Sequence, residues 1–173
     1  MSKVLIVSDS HGLTKELEEL KKKLAGEVDL MIHCGDSELP FDHQAISGFV
    51  TVRGNCDYET RYKEDIVQKV GNFNIFVTHG HLYSVKTSLM GLQYRAQELN
   101  ANIVCFGHSH ILGVEQVGDI LYINPGSLRL PRRRHERTYV VLEMIEENIS
   151  LQVFDFDQGE IMSLRQNFLL PKK

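Results

Sequence analysis

The chain has 173 residues, 42% of them hydrophobic, which suffices for one sizeable core and leaves little for a second; a single domain over residues 1–173 is expected. A net charge of -4 and a pI near 6.1 remove any broad electrostatic reason to expect nucleic acid or an anionic membrane as a standing partner, while a small anionic substrate stays open. The cysteines Cys34, Cys56 and Cys105 form no CxxC pair, which argues against a disulfide framework or a thiolate zinc site.

The opening MSKVLIVSDSH carries one lysine and an apolar run too short for a signal-peptide core. No later segment approaches the roughly 20 apolar residues that span a bilayer, so a cytoplasmic protein without a membrane partner is expected. Residues 3–8 (KVLIVS) read as a strand covered on both faces. Residues 14–25 place Leu17, Leu20 and Leu24 at helical spacing, with Gly26 as a C-terminal stop. Further apolar runs predict strands at 30–34, 49–52, 73–78, 102–107 and 120–124, with a second helix over about 88–99. Beyond Asn124 the pattern turns β-rich at 138–145 and 149–156, with a weaker candidate at 161–168, and predicts an antiparallel meander. The fold class is therefore α/β. The basic run RLPRRRHER, Arg129 to Arg137, is read mainly as a solvated loop.

Chemistry concentrates where the apolar runs end. In order come Asp9-Ser10-His11, Gly35-Asp36, Gly54-Asn55, Thr78-His79-Gly80-His81 and Gly107-His108-Ser109-His110. In open α/β sheets the carboxyl ends of strands are where ligands bind, so residues spread over a hundred positions are able to meet. Aspartate, asparagine and imidazole make a mixed oxygen and nitrogen environment suited to manganese, iron or zinc, and too nitrogen-rich for a magnesium or calcium cage. Seven candidate ligands exceed the need of one ion. Two divalent ions about 4 Å apart, sharing one carboxylate, are the natural count.

This series of D-x-H, GD, GN, GH and GHxH, followed by NPGSLRLPR, resembles the calcineurin-like metallophosphoesterases, in the small bacterial and archaeal branch related to the retromer scaffold subunit. The resemblance covers Asp9 to about Pro131 and implies a two-sheet β-sandwich flanked by helices. It further implies one metal held by Asp9, His11, Asp36 and His110, and a second held by Asp36, Asn55, His79 and His108, with Asp36 bridging. Manganese is the preferred ion, with iron, zinc, nickel or cobalt as alternatives. The implied activity is hydrolysis of a small phosphodiester by a metal-bridging hydroxide, with Asp36, Asn55 and His79 at the reacting centre. The alternatives are a phosphomonoesterase and a non-catalytic protein-binding scaffold; the filled ligand set favours an enzyme. Oligomeric state is left open, although small members of this branch self-associate, and a homo-oligomer is compatible with the chain.

Around this set the residues leave choices. His81 divides between a contact to substrate or to a ligand and a plain loop histidine. His33 reads as a core histidine before a support for the site, and His43 and His135 as exposed. Asn55 is a candidate substrate contact, as are Arg129 and Arg132, which could steer phosphate. Residues 124–127 (NPGS) bring backbone donors near the site or simply turn the chain. Gly54 and Gly107 suit close backbone approach, with Asp57 as a support. Cys56 stands where larger members of the superfamily carry a histidine that protonates the leaving group; a thiol fits that task less well, and packing is the competing reading.

Overall fold

The computed structural model describes residues 1–171. Strand β1 (Ser2–Val7) is buried on both sides, and its alternation sorts it: Val4 and Ile6 enter one core cluster, Leu5 and Val7 the other. The second face is covered by helix α1 (Lys15–Lys23), which lays Leu17, Leu20 and the capping Leu24 onto it. Acidic Glu16 and Glu18 in its first turn and Lys21, Lys22 and Lys23 in its last oppose the helix dipole favourably.

Strands β2 (Leu30–His33) and β3 (Phe49–Thr51) continue parallel to β1. The second sheet begins with β4 (Asp65–Val70) and β5 (Phe73–Thr78); helix α2 (Met90–Glu98) follows, then β6 (Ile103–Cys105), β7 (Gly113–Val117) and β8 (Ile120–Asn124). Its order is β4-β5-β6-β8-β7, with β5, β6 and β8 parallel. The chain then returns to the first sheet through β9 (Thr138–Ile145), β10 (Asn148–Asp155), β11 (Gly159–Glu160) and β12 (Gln166–Leu169). That sheet has the order β11-β10-β9-β1-β2-β3, with β12 also on β10.

The sheets face each other across one core, in which Ile6, Ile32 and Val140 meet Ile75, Ile103 and Ile123. On the outer face of the second sheet, Leu92 and Ala96 of α2 pack on Phe76, Val104 and Tyr122. The expected two-sheet sandwich with flanking helices is the architecture found. Both helices are shorter than their patterns by one or two residues at each end, where propensity outlasts packing. Three strands escaped the pattern: β11 has only two residues, and β4 and β7 are solvent-facing edges, with exposed Val67, Lys69, Glu115 and Gln116, so the apolar signal was diluted. The expected C-terminal meander exists as the β9–β10 hairpin, but β9 also pairs antiparallel with β1 and completes the first sheet. The weak third candidate at 161–168 begins just after β11 and divides into a 3-10 turn at Met162–Leu164 and most of β12. Among the described residues, no helix is long and apolar enough to cross a membrane.

Candidate metal centre

Parallel strands deliver their C-terminal ends to one edge of the sandwich, and there the backbone takes costly conformations. Ten non-glycine residues among those described have positive φ; five of them are Asp9 (52°), His11 (43°), Asp36 (54°), His108 (68°) and His110 (60°). Left-handed backbone in ordinary residues costs of order 1–3 kcal/mol each and persists where the surroundings impose it. Here hydrogen bonds between the loops impose it. Asp9 N–H donates to Gly35 O (3.0 Å), His11 N–H to Asp36 O (2.9 Å) and Gly107 N–H to His79 O (3.0 Å).

The donor atoms converge in overlapping groups. Asp9, His11 and His110 place one atom each within 4.8 Å of one another, as do Asp9, Asp36 and His79, and also His11, Asp36 and Cys56. Asn55 joins through its Oδ1, 3.1 Å from His79 Nε2. His108 belongs to none of these groups; its ring lies beside those of His79 (5.2 Å) and His81 (6.1 Å). Of the expected ligands, six are therefore brought together and the seventh borders them.

Tautomers decide whether a cation fits. His79 Nδ1 lies 2.7 Å from Cys34 O, His110 Nδ1 2.8 Å from Leu130 O, and His11 Nδ1 3.1 Å from Glu38 Oε2. These oxygens only accept, so each Nδ1 carries the proton and each Nε2 turns a lone pair inward. Those lone pairs meet other acceptors: His11 and His110 Nε2 are 3.2 Å apart, and His79 Nε2 is 3.3 Å from Asp36 Oδ2. Asp9 Oδ1 is buried without a hydrogen-bond partner, although His110 Nε2 stands only 3.1 Å away. Such a ring of acceptors is repulsive unless positive charge enters it, and the chemistry of the set fits a divalent cation.

The same demand governs proton affinity. Burial pushes the Asp9 and Asp36 carboxyls up, but the facing imidazoles outweigh it and hold both below the usual carboxylate range. His110 is raised, first by Asp9; His79 is raised although its burial opposes this. His108, outside the ring of acceptors, is lowered to about 4 by burial and by the neighbouring His79.

Asp57 holds the cradle. Its buried carboxylate accepts from Asp36 N–H (2.8 Å) and Gly54 N–H (2.7 Å) on one oxygen, and from Glu38 N–H (2.7 Å) and Ser37 Oγ–H (3.3 Å) on the other. The sequence marks it only as a neighbour of Asn55; three of the four donors come from the loop after β2 and the fourth, Gly54, from its own loop after β3. Ser127 plays the matching part, donating to Asp9 O (2.7 Å) while accepting from Arg129 and Leu130 N–H. Asn124 Nδ2 donates to Gly107 O (2.9 Å) and Ser109 Oγ (3.0 Å), and its Oδ1 accepts from Gly126 N–H (3.0 Å), so with Ser127 the NPGS stretch ties two ligand loops. Close approach is real at Gly54 and Gly107: a methyl group at 54 would overlap Asp36 Oδ1, and at 107 Ser8 Oγ.

The remaining candidates separate. His33 is fully buried, with Nε2 2.8 Å from Ser10 Oγ and Nδ1 accepting from Gly35 N–H, so it is a core histidine that also braces two ligand loops. His135 is exposed as expected, whereas His43 is half-buried because its Nδ1 accepts from Ala45 N–H. His81 borders a cavity with Arg53, Asn55 and Glu64, and its buried Nδ1 has no hydrogen-bond partner. Burial, then Asp36, pushes the Cys56 thiol up to about 11, and its N–H donates to Asp36 Oδ1 (2.7 Å). Arg129 donates to His11 O, which spends its guanidinium on the loop. The basic run is not uniformly solvated: Arg134 pairs with Glu136, and Arg137 with Glu16 and Asp157, leaving Arg132 and Arg133 without a carboxylate partner among the described residues.

Residues 2–147 match the calcineurin-like phosphoesterase superfamily domain. A probable metallophosphoesterase of Bacillus subtilis (strain 168), YsnB, is 46% identical over 167 residues, covering 96% of this chain and 99% of the relative. The phosphodiesterase YfcE of Escherichia coli (strain K12) is 25% identical over 173 residues, covering 83% and 88%. Among solved structures, a predicted phosphoesterase from Streptococcus pneumoniae TIGR4 superposes with a TM-score of 0.93 at 34% identity, covering 97% of each chain. Vps29 of Chaetomium thermophilum shares the fold over all of both chains, with a TM-score of 0.77 at 18% identity.

Proposed function

Because the chain belongs to the calcineurin-like phosphoesterase superfamily, we propose that it is a dinuclear-metal phosphodiesterase of the cytoplasm acting on a small substrate. One observation carries this reading: three imidazoles, each with its proton fixed on Nδ1, turn their Nε2 lone pairs onto the buried carboxylates Asp9 and Asp36. Asp9, His11 and His110 would hold one ion and Asn55, His79 and His108 the other, with Asp36 shared. Manganese suits this donor set best. When bound, such ions supply Lewis-acid activation of water and neutralise charge on the phosphoryl group.

The chain's own residues do the positioning. Glu38 and the carbonyls of Cys34 and Leu130 fix the imidazole tautomers. Asn55 is exposed at the rim; its Oδ1 faces the centre, and its Nδ2, which donates to Cys56 Sγ (3.4 Å), would turn from the thiol to a phosphoryl oxygen. His81, in the cavity beside Asn55, faces one ester arm. A thiol that holds its proton as tightly as Cys56 does is a weak acid, so esters with good leaving groups are favoured over alkoxides. The name of the Escherichia coli relative supports a diester over a monoester.

The test compares bis(p-nitrophenyl) phosphate with p-nitrophenyl phosphate on manganese-loaded protein, with metal content measured in parallel. Diester turnover that is lost in His108→Ala, with two ions per chain, is expected. A loaded protein inert on both esters would sink the enzyme reading and leave a scaffold of this fold.

A further inference from the structure

Beside His108 and His110 lies a cavity of about 440 Å³, inside the size range of small-molecule sites. Val85, Leu89, Phe106 and Ile111 make its apolar lining. Lys86, Arg132 and Arg133 line it as well, and none has a carboxylate partner among the described residues. Three unpaired cations around one cavity run against a net charge of -4. The loop that carries two of them is anchored to the centre, since Arg132 N–H donates to His110 O (3.0 Å). Arg133 adopts a left-handed φ of 64°, a conformation that a freely solvated arginine has no cause to keep.

Other cavities bordering the centre have different chemistry. One next to Glu38 also includes Glu59, and the one at His81 sets Asp57 and Glu64 against the single cation Arg53. Neither gathers cations without carboxylates, as the cavity beside His110 does.

We propose that this cavity receives one arm of the phosphodiester, and that the arm has a flat apolar body, aryl or heteroaryl, bearing a second phosphate. The apolar body covers Phe106 and its neighbours, and the second phosphate lies among Lys86, Arg132 and Arg133. This rests on the phosphodiesterase reading for the scissile bond, and the cavity itself is testable without catalysis. Titration of metal-free protein in chelator with 1-naphthyl phosphate should show binding at least about tenfold tighter than methyl phosphate or 1-naphthol. Replacing the three exposed cations together (Lys86→Ala, Arg132→Ala, Arg133→Ala) should weaken it by at least about tenfold, and raised salt should do the same to the wild type. The charge reversal Arg132→Glu serves as an independent variant with the same expectation.

On manganese-loaded protein, kcat/KM for an aryl diester carrying a second phosphate, divided by that for the same diester without it, should fall at least about tenfold in the triple variant. Equal binding of naphthyl and methyl phosphate, or unchanged affinity in both variants, would overturn the assignment. Binding that behaves as stated in a protein inert on both diesters supports the cavity and overturns the diesterase reading.

Discussion

Replacing Asp57 by Asn keeps the shape of the side chain and removes what it does. The carboxylate accepts from Asp36 and Gly54 N–H on one oxygen and from Glu38 N–H and Ser37 Oγ–H on the other. An amide offers one oxygen, so its NH2 must face one of the two pairs, at best that of Glu38 N–H and the Ser37 hydroxyl, which is able to turn and accept. Hydrogen bonds to a charged group are worth about 1.5–3 kcal/mol each; even in that orientation the Glu38 bond is lost and those from Asp36 and Gly54 go to a neutral oxygen, so a cost of about 3–5 kcal/mol is expected. For a domain of this size, that lowers Tm by about 6–20 °C, measured by calorimetry on metal-free protein. Because Asp36 is held by this clamp, manganese affinity measured by titration should fall by about 10- to 100-fold. A shift in Tm under about 2 °C together with unchanged manganese affinity would refute the argument that Asp57 holds Asp36 in place.

The other predictions use the same structure. Gly54→Ala would set a methyl group into Asp36 Oδ1, and this overpacking should cost about 1–3 kcal/mol in denaturant unfolding and remove the second equivalent of bound manganese. His33 is fully buried and lowered from 6.5 to about 4 by burial, so below pH 6.5 the unfolded chain takes a proton that the folded one refuses. Its contribution should therefore lose about 3 kcal/mol as pH falls from 6.5 to 4, and urea midpoints should show this part of the slope vanishing in His33→Gln. Cys56→His should raise turnover of alkyl-leaving-group diesters while changing p-nitrophenyl esters little; an unchanged ratio would mean that position 56 has no part in protonating the leaving group.

The strand ends were legible because they combine two local signals, a continuous apolar run and a polar ligand type directly after it, as in KVLIVS before Asp9 and FNIFVT before His79. The edge strands β4 and β7 were not, because a strand with a face in water needs few apolar residues. The completed first sheet was hidden for another reason: β9 joins β1 across more than 130 residues of chain, and pairing at that separation leaves no local trace. The pairing of Arg134 and Arg137, and the freedom of Arg132 and Arg133 next to them, depends on where Glu16 and Asp157 lie in space.

The sequence alone determined which atoms are available for the chemistry: oxygen and imidazole nitrogen, in excess of one ion's need, at the ends of strands. Tertiary structure decided their protonation and direction, because a histidine's inward lone pair is set by the carbonyl behind it. Cys34 O fixes His79, Leu130 O fixes His110, and a carboxylate 21 residues along the chain from Asp36 holds that ligand's backbone in its left-handed turn. Residue type is a local property of the chain, whereas hydrogen-bond partners and electrostatic surroundings exist only once distant loops share one edge of the sandwich.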